Sequence, residues 1–111
     1  MLKPDGDENS PVPTIYSTCP PDAAVNIAAQ LIEDQLAACV NAIDCHSTYR
    51  WDGDVITEDE TILLCKTSAD RVDELIERID ALHPHEVPCI ERFDATETPK
   101  PFAEWIEDSV R

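Results

Sequence analysis

The fold of this chain is decided by residues 36–67, which read LAACVNAIDCHSTYRWDGDVITEDETILLCKT. This stretch predicts a helix end followed by two long strands, from about Ala38 to Trp51 and from about Val55 to Thr67. Asp52–Gly53 lies near their junction and predicts a hairpin turn, because glycine adopts a positive φ without steric cost. The later part of the second strand, residues 62–65, is apolar without alternation, so both of its faces need to be covered.

Elements on either side of this hairpin give the order β-α-β-β-α-β. A first strand is predicted for Pro13–Cys19, and Asp22 is expected to cap the helix that follows. A second helix is predicted over Ser68–Leu82, and a fourth strand over Pro88–Phe93. Thr98–Pro99 predicts a cap for a short final helix, with the proline at the first helical position.

This order predicts an α+β protein of the ferredoxin-like βαββαβ type, a sandwich in which two helices cover one face of a four-stranded sheet. The two long strands also supply apolar residues to the other face. Packing several subunits together is the simplest way to cover that face and its strand edges. We therefore predict a homo-oligomer, in which residues 1–12 form a flexible tail and residues 13–111 form a single domain.

The charge of the chain excludes some classes of partner. Twenty-four acidic residues face eight basic ones, for a net charge of −16. Such a surface repels nucleic acids and anionic membranes. It would attract cations, or it would suit a protein adapted to high salt, and the even spread of acids along the chain favours the halophilic interpretation. Neither a membrane span nor a signal peptide is recognisable, which predicts a cytoplasmic protein.

Cysteine and histidine residues are the candidates for metal binding. Five cysteines without a Cys-x-x-Cys motif argue against a disulfide framework or a zinc finger. Cys19 is predicted just before a helix, where the pKa of a thiol is usually lowered and the metal-binding thiolate is favoured. His83, His85 and Cys89 follow one another closely, and sulfur and imidazole suit copper or zinc. The alternative interpretation is that both thiols are packed in strands and both histidines lie at a solvated helix end.

Other functional patterns are weak. A Cys19–His83 nucleophile pair lacks an evident third group, and a chain with two glycines has no phosphate-binding loop. We therefore predict neither an enzyme nor an organic cofactor. The aromatic residues Tyr49, Trp51 and Trp105 either line a pocket between subunits or anchor the hairpin against a neighbour.

Seven short segments resemble, in order and spacing, the CutA family of divalent-cation tolerance proteins. They are Thr18–Asp22, Leu36–Asn41, Ser47–Gly53, Lys66–Thr67, His83–Pro84, Val87–Pro88 and Trp105–Ile106. The resemblance implies a tight homotrimer built like the PII signalling proteins, binding of copper or another divalent cation, and a role in metal tolerance. It carries over Cys19 and His83 as candidate metal ligands.

Two positions depart from the family pattern. The family usually has His-Pro-Tyr and then Pro-Glu, whereas this chain has His85 and Cys89 where the tyrosine and the glutamate would be. An aromatic ring and a carboxylate are thus replaced by an imidazole and a thiol. A PII-like regulatory or scaffold trimer, which binds a small ligand or an unidentified protein at the clefts between subunits, stays open as the alternative function.

Overall fold

The structure, a computed structural model, describes residues 11–111. It confirms the α+β class and the predicted order of elements. The strands and helices are β1 (Val12–Cys19), α1 (Pro21–Glu33), β2 (Cys39–Trp51), β3 (Asp54–Lys66), α2 (Val72–Leu82), β4 (Ile90–Ala95) and α3 (Lys100–Ser109). Most of the predicted tail lies outside the described residues, but Val12 is a buried residue of β1.

The four strands form one antiparallel sheet in the order β2-β3-β1-β4. On β1, Ile15 and Cys19 are fully buried, whereas Tyr16 and Thr18 point to the opposite face and are half-buried. The core lies between the first of these faces and helices α1 and α2. Its largest fully buried side chains include Ile15, Ile27, Leu31, Leu63, Leu75 and Ile79.

The hairpin of β2 and β3 is built as predicted. Each strand has 13 residues, and the register runs without a break from Cys39–Lys66 to Trp51–Asp54. Asp52 and Gly53 have φ angles of 51° and 85°. Two successive positive φ values are typical of the tight turns whose twist matches that of the flanking strands.

The face of the sheet away from the helices, which we call the open face, carries exposed apolar side chains. They include Ile43, Tyr49, Trp51 and Phe93. Phe93 contacts Tyr16 edge to face, with ring centroids 6.0 Å apart. With Tyr16 of β1 included, these residues come from three strands, β1, β2 and β4, so the apolar surface extends across much of the sheet. This agrees with the apolar second face expected from the sequence.

Several predicted boundaries are wrong by a few residues. Asp22 lies within the first turn of α1 instead of capping it, because Pro20 is the N-cap and the helix starts at Pro21. A turn of 3-10 helix at residues 69–71 precedes α2. The N-cap of α3 is Pro99, one residue later than predicted. Proline fixes its own φ near the helical range, so prolines are readily accepted at the starts of α1 and α3.

Strand β4 starts at Ile90 instead of near Pro88. Proline has no N–H to donate to a sheet, which favours a loop up to that point. None of the three α-helices between residues 11 and 111 is long and apolar enough to span a bilayer.

Candidate functional site

The predicted metal ligands come from the end of β1 and from the loop that leads from α2 to β4. Helix α2 ends at Leu82, and its C-cap residue His83 has an extended backbone (φ −74°, ψ 135°), as expected before Pro84. The extended turn directs the chain back toward β1. His83 is buried, with 7% of its surface exposed.

Both ring nitrogens of His83 have internal partners. Its Nε2 lies 2.7 Å from the carbonyl oxygen of Thr18, and the backbone N–H of His85 donates to its Nδ1 at 3.1 Å. Because Nδ1 accepts a hydrogen bond, the proton is on Nε2, which donates to Thr18. This imidazole would have to give up one of these bonds before it could bind a metal.

His85 and Cys89 are more accessible. The rings of His83 and His85 lie 4.9 Å apart between centroids, and His85 is exposed. Cys89 is exposed as well, and its carbonyl oxygen accepts a 2.7 Å hydrogen bond from the hydroxyl of Ser17. The loop is therefore fastened to neighbouring residues of β1 near both of its ends.

Cys19 points away from this loop, into the core. It is fully buried, and its Sγ lies 3.8 Å from the carbonyl oxygen of Thr61. Burial raises the pKa of the Cys19 thiol, and the charges of Glu60 and Asp22 raise it further. The expected lowering of this pKa by the following helix is therefore wrong, because desolvation of the thiolate outweighs the helix end.

A cleft of about 390 Å³ opens on the open face of the sheet, between the hairpin and the loop of residues 85–89. Tyr49 and Trp51 supply its aromatic surface, and Glu58 and Glu60 contribute carboxylates from β3. His85, Glu86 and Cys89 line its other side, and no lysine or arginine among residues 11–111 does so. The cleft is therefore acidic and favours positively charged ligands.

The hydroxyl of Tyr49 donates a 2.7 Å hydrogen bond to Glu58, which raises the pKa of this tyrosine. The bond fixes the ring relative to β3. Burial raises the pKa of Tyr16, and the nearby Cys89, Cys45 and Glu91 add to the effect. Tyr16 and Tyr49, which both lie on the open face, therefore lose their protons less readily than a free tyrosine.

Glu58 and Glu60 were not predicted from the sequence as site residues. Their spacing of two places them on one face of β3, together with Ile62 and Leu64, and that alternation was the available signal. Burial of Glu60 depends on distant parts of the chain, however, and was not readable from β3 alone.

His85 and Cys89 thus line the same cleft. His83 is buried and held by its two hydrogen bonds, and Cys19 lies apart from all three in the core. Within residues 11–111 there is no group of three or more histidine, cysteine, aspartate or glutamate side chains arranged to hold a metal ion. One protomer in this conformation thus offers an incomplete set of ligands.

The order of elements and the single four-stranded antiparallel sheet place the chain in the class of ferredoxin-like α+β proteins. The chain belongs to the CutA1 divalent ion tolerance protein family, whose sequence pattern matches residues 13–109. It is 38% identical over 90 residues to the divalent-cation tolerance protein CutA of Thermus thermophilus, covering 80% of this chain and 87% of that protein.

Solved structures agree with this assignment. The periplasmic divalent cation tolerance protein CutA of Archaeoglobus fulgidus is 32% identical and superposes with a TM-score of 0.86, covering 90% of this chain and 99% of that one. The PII-like protein CutA of Nostoc sp. PCC 7120, in its apo form, is 29% identical with a TM-score of 0.86, covering 89% and 97%. The resemblance noted in the sequence is thereby confirmed.

Proposed function

We propose that this protein is a homotrimer that binds a divalent cation, preferentially copper, and that it contributes to divalent-cation tolerance. Membership of the CutA1 family is the observation that carries this proposal. The exposed thiol of Cys89 and the imidazole of His85, both on the acidic cleft, supply the soft donors that copper prefers.

His85 and Cys89 are the primary ligands in this proposal, and the remaining ligands come from a neighbouring protomer or from rearrangement of the loop. His83 orients His85 through the bond between the His85 N–H and His83 Nδ1. Cys19 and His83 become ligands themselves only by giving up their contacts with Thr61 and Thr18. Copper binding is therefore expected to depend more on Cys89 and His85 than on Cys19.

The homotrimer is supported by the apolar open face. Ile43, Trp51 and Phe93 are each about half exposed in the protomer, at 47%, 57% and 54%. Large aromatic side chains dominate the energy of protein interfaces, so burying them between subunits would be strongly favourable. The PII-like relative supports the same arrangement.

A copper titration tests the metal proposal. Cu⁺ is titrated against a competing chelator under reducing conditions, and Cu²⁺ by calorimetry, both in about 1 M KCl to screen binding to surface carboxylates. Cys89→Ser and His85→Gln should each weaken binding about tenfold or more, since loss of even an outer-shell partner of a metal ligand costs about that much. The matched controls Cys39→Ser and His46→Gln should leave the affinity unchanged. Identical isotherms for wild type and all four variants would remove the proposed site.

No enzymatic activity is part of this proposal. A nucleophilic Cys19 would require an accessible thiolate, whereas this thiol is buried and its pKa is raised. His83, the base in such a pair, already uses both ring nitrogens. We also propose a cytoplasmic location and no nucleic-acid partner, the latter because of the net charge of −16.

A second candidate function is regulation or scaffolding through a ligand in the cleft. The observation that favours it is the cleft itself, which has a volume within the range of small-molecule sites and two aromatic walls. A thermal-shift screen of metals, nucleotides and small metabolites separates the two functions. Stabilisation by metals alone supports the first, and stabilisation by organic ligands alone supports the second.

A further inference from the structure

Glu60 is a buried acidic residue at the middle of β3. Only 7% of its surface is exposed, although glutamate is almost never fully buried in proteins without a partner. Among residues 11–111, its carboxylate accepts no hydrogen bond and forms no ion pair. Burial of a charge without a counter-charge is costly, so an assembly that brings a cation to Glu60 is favoured over one that leaves it unpaired.

Nearly all basic residues of the protomer already have partners. The chain has eight lysines and arginines, of which Lys3 lies outside the described residues. Five of the others form ion pairs with carboxylates of the same chain, namely Arg71, Arg78, Arg92, Lys100 and Arg111. Arg50 donates to the carbonyl oxygen of Gly53 in its own hairpin. Lys66 remains, and in the described part of the chain its amine has no carboxylate partner.

Lys66 lies on the same face of the sheet as Glu60. Both belong to β3 and are an even number of residues apart, and alternate side chains of a strand point to one face. That face is the open face, because Leu63 and Cys65, at the intervening positions, are buried in the core beneath the helices. A separation of six residues corresponds to about 20 Å along a strand. The two charges are therefore too far apart to pair within one protomer.

The side chains between these two charges suit an interface. Ile62 and Leu64 lie between them on the open face, and both are half-buried in the protomer. The open face of β3 thus presents a carboxylate, two aliphatic side chains and an amine in a row. Covering this row with another copy removes both charges from water, so each needs an opposite charge across the contact. A head-to-tail contact supplies it, because the carboxylate end of one row meets the amine end of the next.

We propose that Glu60 of one protomer forms an ion pair with Lys66 of a neighbouring copy across the open face. In a ring of three, each protomer then gives its carboxylate to one neighbour and its amine to the other. This is a heterologous contact, the kind that generates rings. The inference rests on the proposed homotrimer and does not depend on copper binding.

A double-mutant cycle on the assembly tests this pair. Glu60→Gln and Lys66→Met each keep the approximate shape of the side chain and leave the opposite charge unpaired in the contact. Each should raise the concentration at which half of the protein is dissociated about tenfold or more, as measured by sedimentation over a dilution series. The double variant Glu60→Gln/Lys66→Met leaves neither charge unpaired and should assemble more tightly than either single variant.

The matched control changes an ion pair that lies within one protomer. Lys100 and Glu104 on α3 are 3.8 Å apart between Nζ and Oε1. Glu104→Gln and Lys100→Met therefore remove the same charges without breaking the proposed contact, and both should assemble as wild type does. The fold of each variant is checked by circular dichroism and by its urea midpoint.

Cross-linking of the unaltered chain gives a second readout that needs no variant. A carbodiimide joins a lysine amine directly to a carboxylate that is in contact with it. Because Glu60 and Lys66 of one chain are about 20 Å apart, a bond between them must join two chains. We expect this bond in the dimers and trimers that survive a denaturing gel, identified by peptide mass mapping. The Lys100–Glu104 link within a chain is the positive control.

Three results would each overturn the proposal: single-variant effects that multiply in the double variant, wild-type assembly of both single variants, or Lys66 linked to other carboxylates in place of Glu60. If the wild-type trimer is intact in these cases, the homotrimer stands and the ion pair alone is wrong. A wild-type chain that sediments as a monomer would instead contradict the homotrimer, and the ion pair with it.

Discussion

The Nε2 atom of His83 lies 2.7 Å from the carbonyl oxygen of Thr18, and this hydrogen bond ties the end of α2 to the end of β1. Ser17, the residue before Thr18 in β1, donates a hydrogen bond from its hydroxyl to the carbonyl oxygen of Cys89. Together they position the loop of residues 85–89 at the edge of the acidic cleft. His83 is therefore expected to act in positioning the site, whatever the cleft binds.

Loss of the His83 imidazole should destabilise the fold. His83→Ala leaves the partly buried Thr18 carbonyl and His85 N–H without their partner, and we expect the free energy of unfolding to fall by about 1–3 kcal/mol. Urea denaturation measures the change. The control is His46→Ala, because His46 is exposed and its one side-chain partner among residues 11–111 is Asp59, so that its removal should cost less than about 0.5 kcal/mol. Equal effects of the two substitutions would contradict a structural role for His83.

Alkaline pH should destabilise the protein through Cys65. Burial raises the pKa of this thiol from 9.0 to about 12. The unfolded chain therefore loses the proton first, so the contribution to stability is complete below pH 9 and is lost as the pH rises toward 12. By pH 11 the loss is about 3 kcal/mol, at ~1.4 kcal/mol for each pH unit above the unfolded pKa.

The comparison with Cys65→Ala isolates this effect, since all other titrating groups are shared. The difference in unfolding free energy between wild type and Cys65→Ala should shrink by about 3 kcal/mol between pH 8 and pH 11. Urea titrations at several pH values provide the measurement. Parallel stability curves for the two proteins would show that the Cys65 pKa is not raised.

Thiol reactivity should follow exposure. Cys89 is exposed, whereas Cys19 and Cys65 are fully buried and have raised pKa values. We expect iodoacetamide at neutral pH to modify Cys89 at least about tenfold faster than either buried thiol, with all sites equal in urea. Peptide mass mapping over time gives the rates. Rapid modification of Cys19 in the folded protein would contradict its burial and would make it a candidate nucleophile or metal ligand again.

Trp51 should contribute to subunit association. If its ring packs against a neighbouring subunit, Trp51→Ala should raise the dissociation constant of the assembly about tenfold or more, as loss of an aromatic anchor does. Trp105→Ala is the matched control, because Trp105 is similarly exposed at 48% but lies on α3 and stacks on Phe102. Sedimentation at several concentrations measures the effect, and an unchanged trimer in Trp51→Ala would contradict it.

Low salt should reduce stability. With a net charge of −16, repulsion within the folded chain grows as the screening length increases from about 3 Å at 1 M to about 30 Å at 0.01 M. We expect the melting temperature to fall as KCl is removed, by about 4–8 °C for each kcal/mol of repulsion. Sucrose at matched osmolality should not restore it. A melting temperature independent of KCl would contradict adaptation to high salt.

Much of the fold was readable from local patterns. The hairpin followed from Asp52–Gly53 between two long β-rich segments, and α2 followed from its apolar spacing and from Pro84 at its end. Boundaries at prolines were less accurate, as at Pro20 and Pro88, because a proline shows that an element ends nearby without showing which residue carries the last backbone hydrogen bond.

The candidate site was only partly readable. His85 and Cys89 were identified by residue type and do lie on one cleft. The role of Cys19 was misjudged at the level of its pKa, because a helix start was visible in the sequence but the burial of the thiol was not. Glu60 was not recognised, since its neighbours Thr18 and Cys45 are distant from it in the chain.

The sequence by itself determined the order of the elements, the tight hairpin, the acidic character and the family, because each depends on residue types and spacings along the chain. Only the tertiary structure decided which polar groups have partners. It gave His83 two internal hydrogen bonds and placed Cys19 in the core, and within residues 11–111 it left the buried Glu60 without a salt-bridge partner. The physical reason is that desolvation and hydrogen bonding depend on atoms brought together from distant segments, which local sequence does not specify.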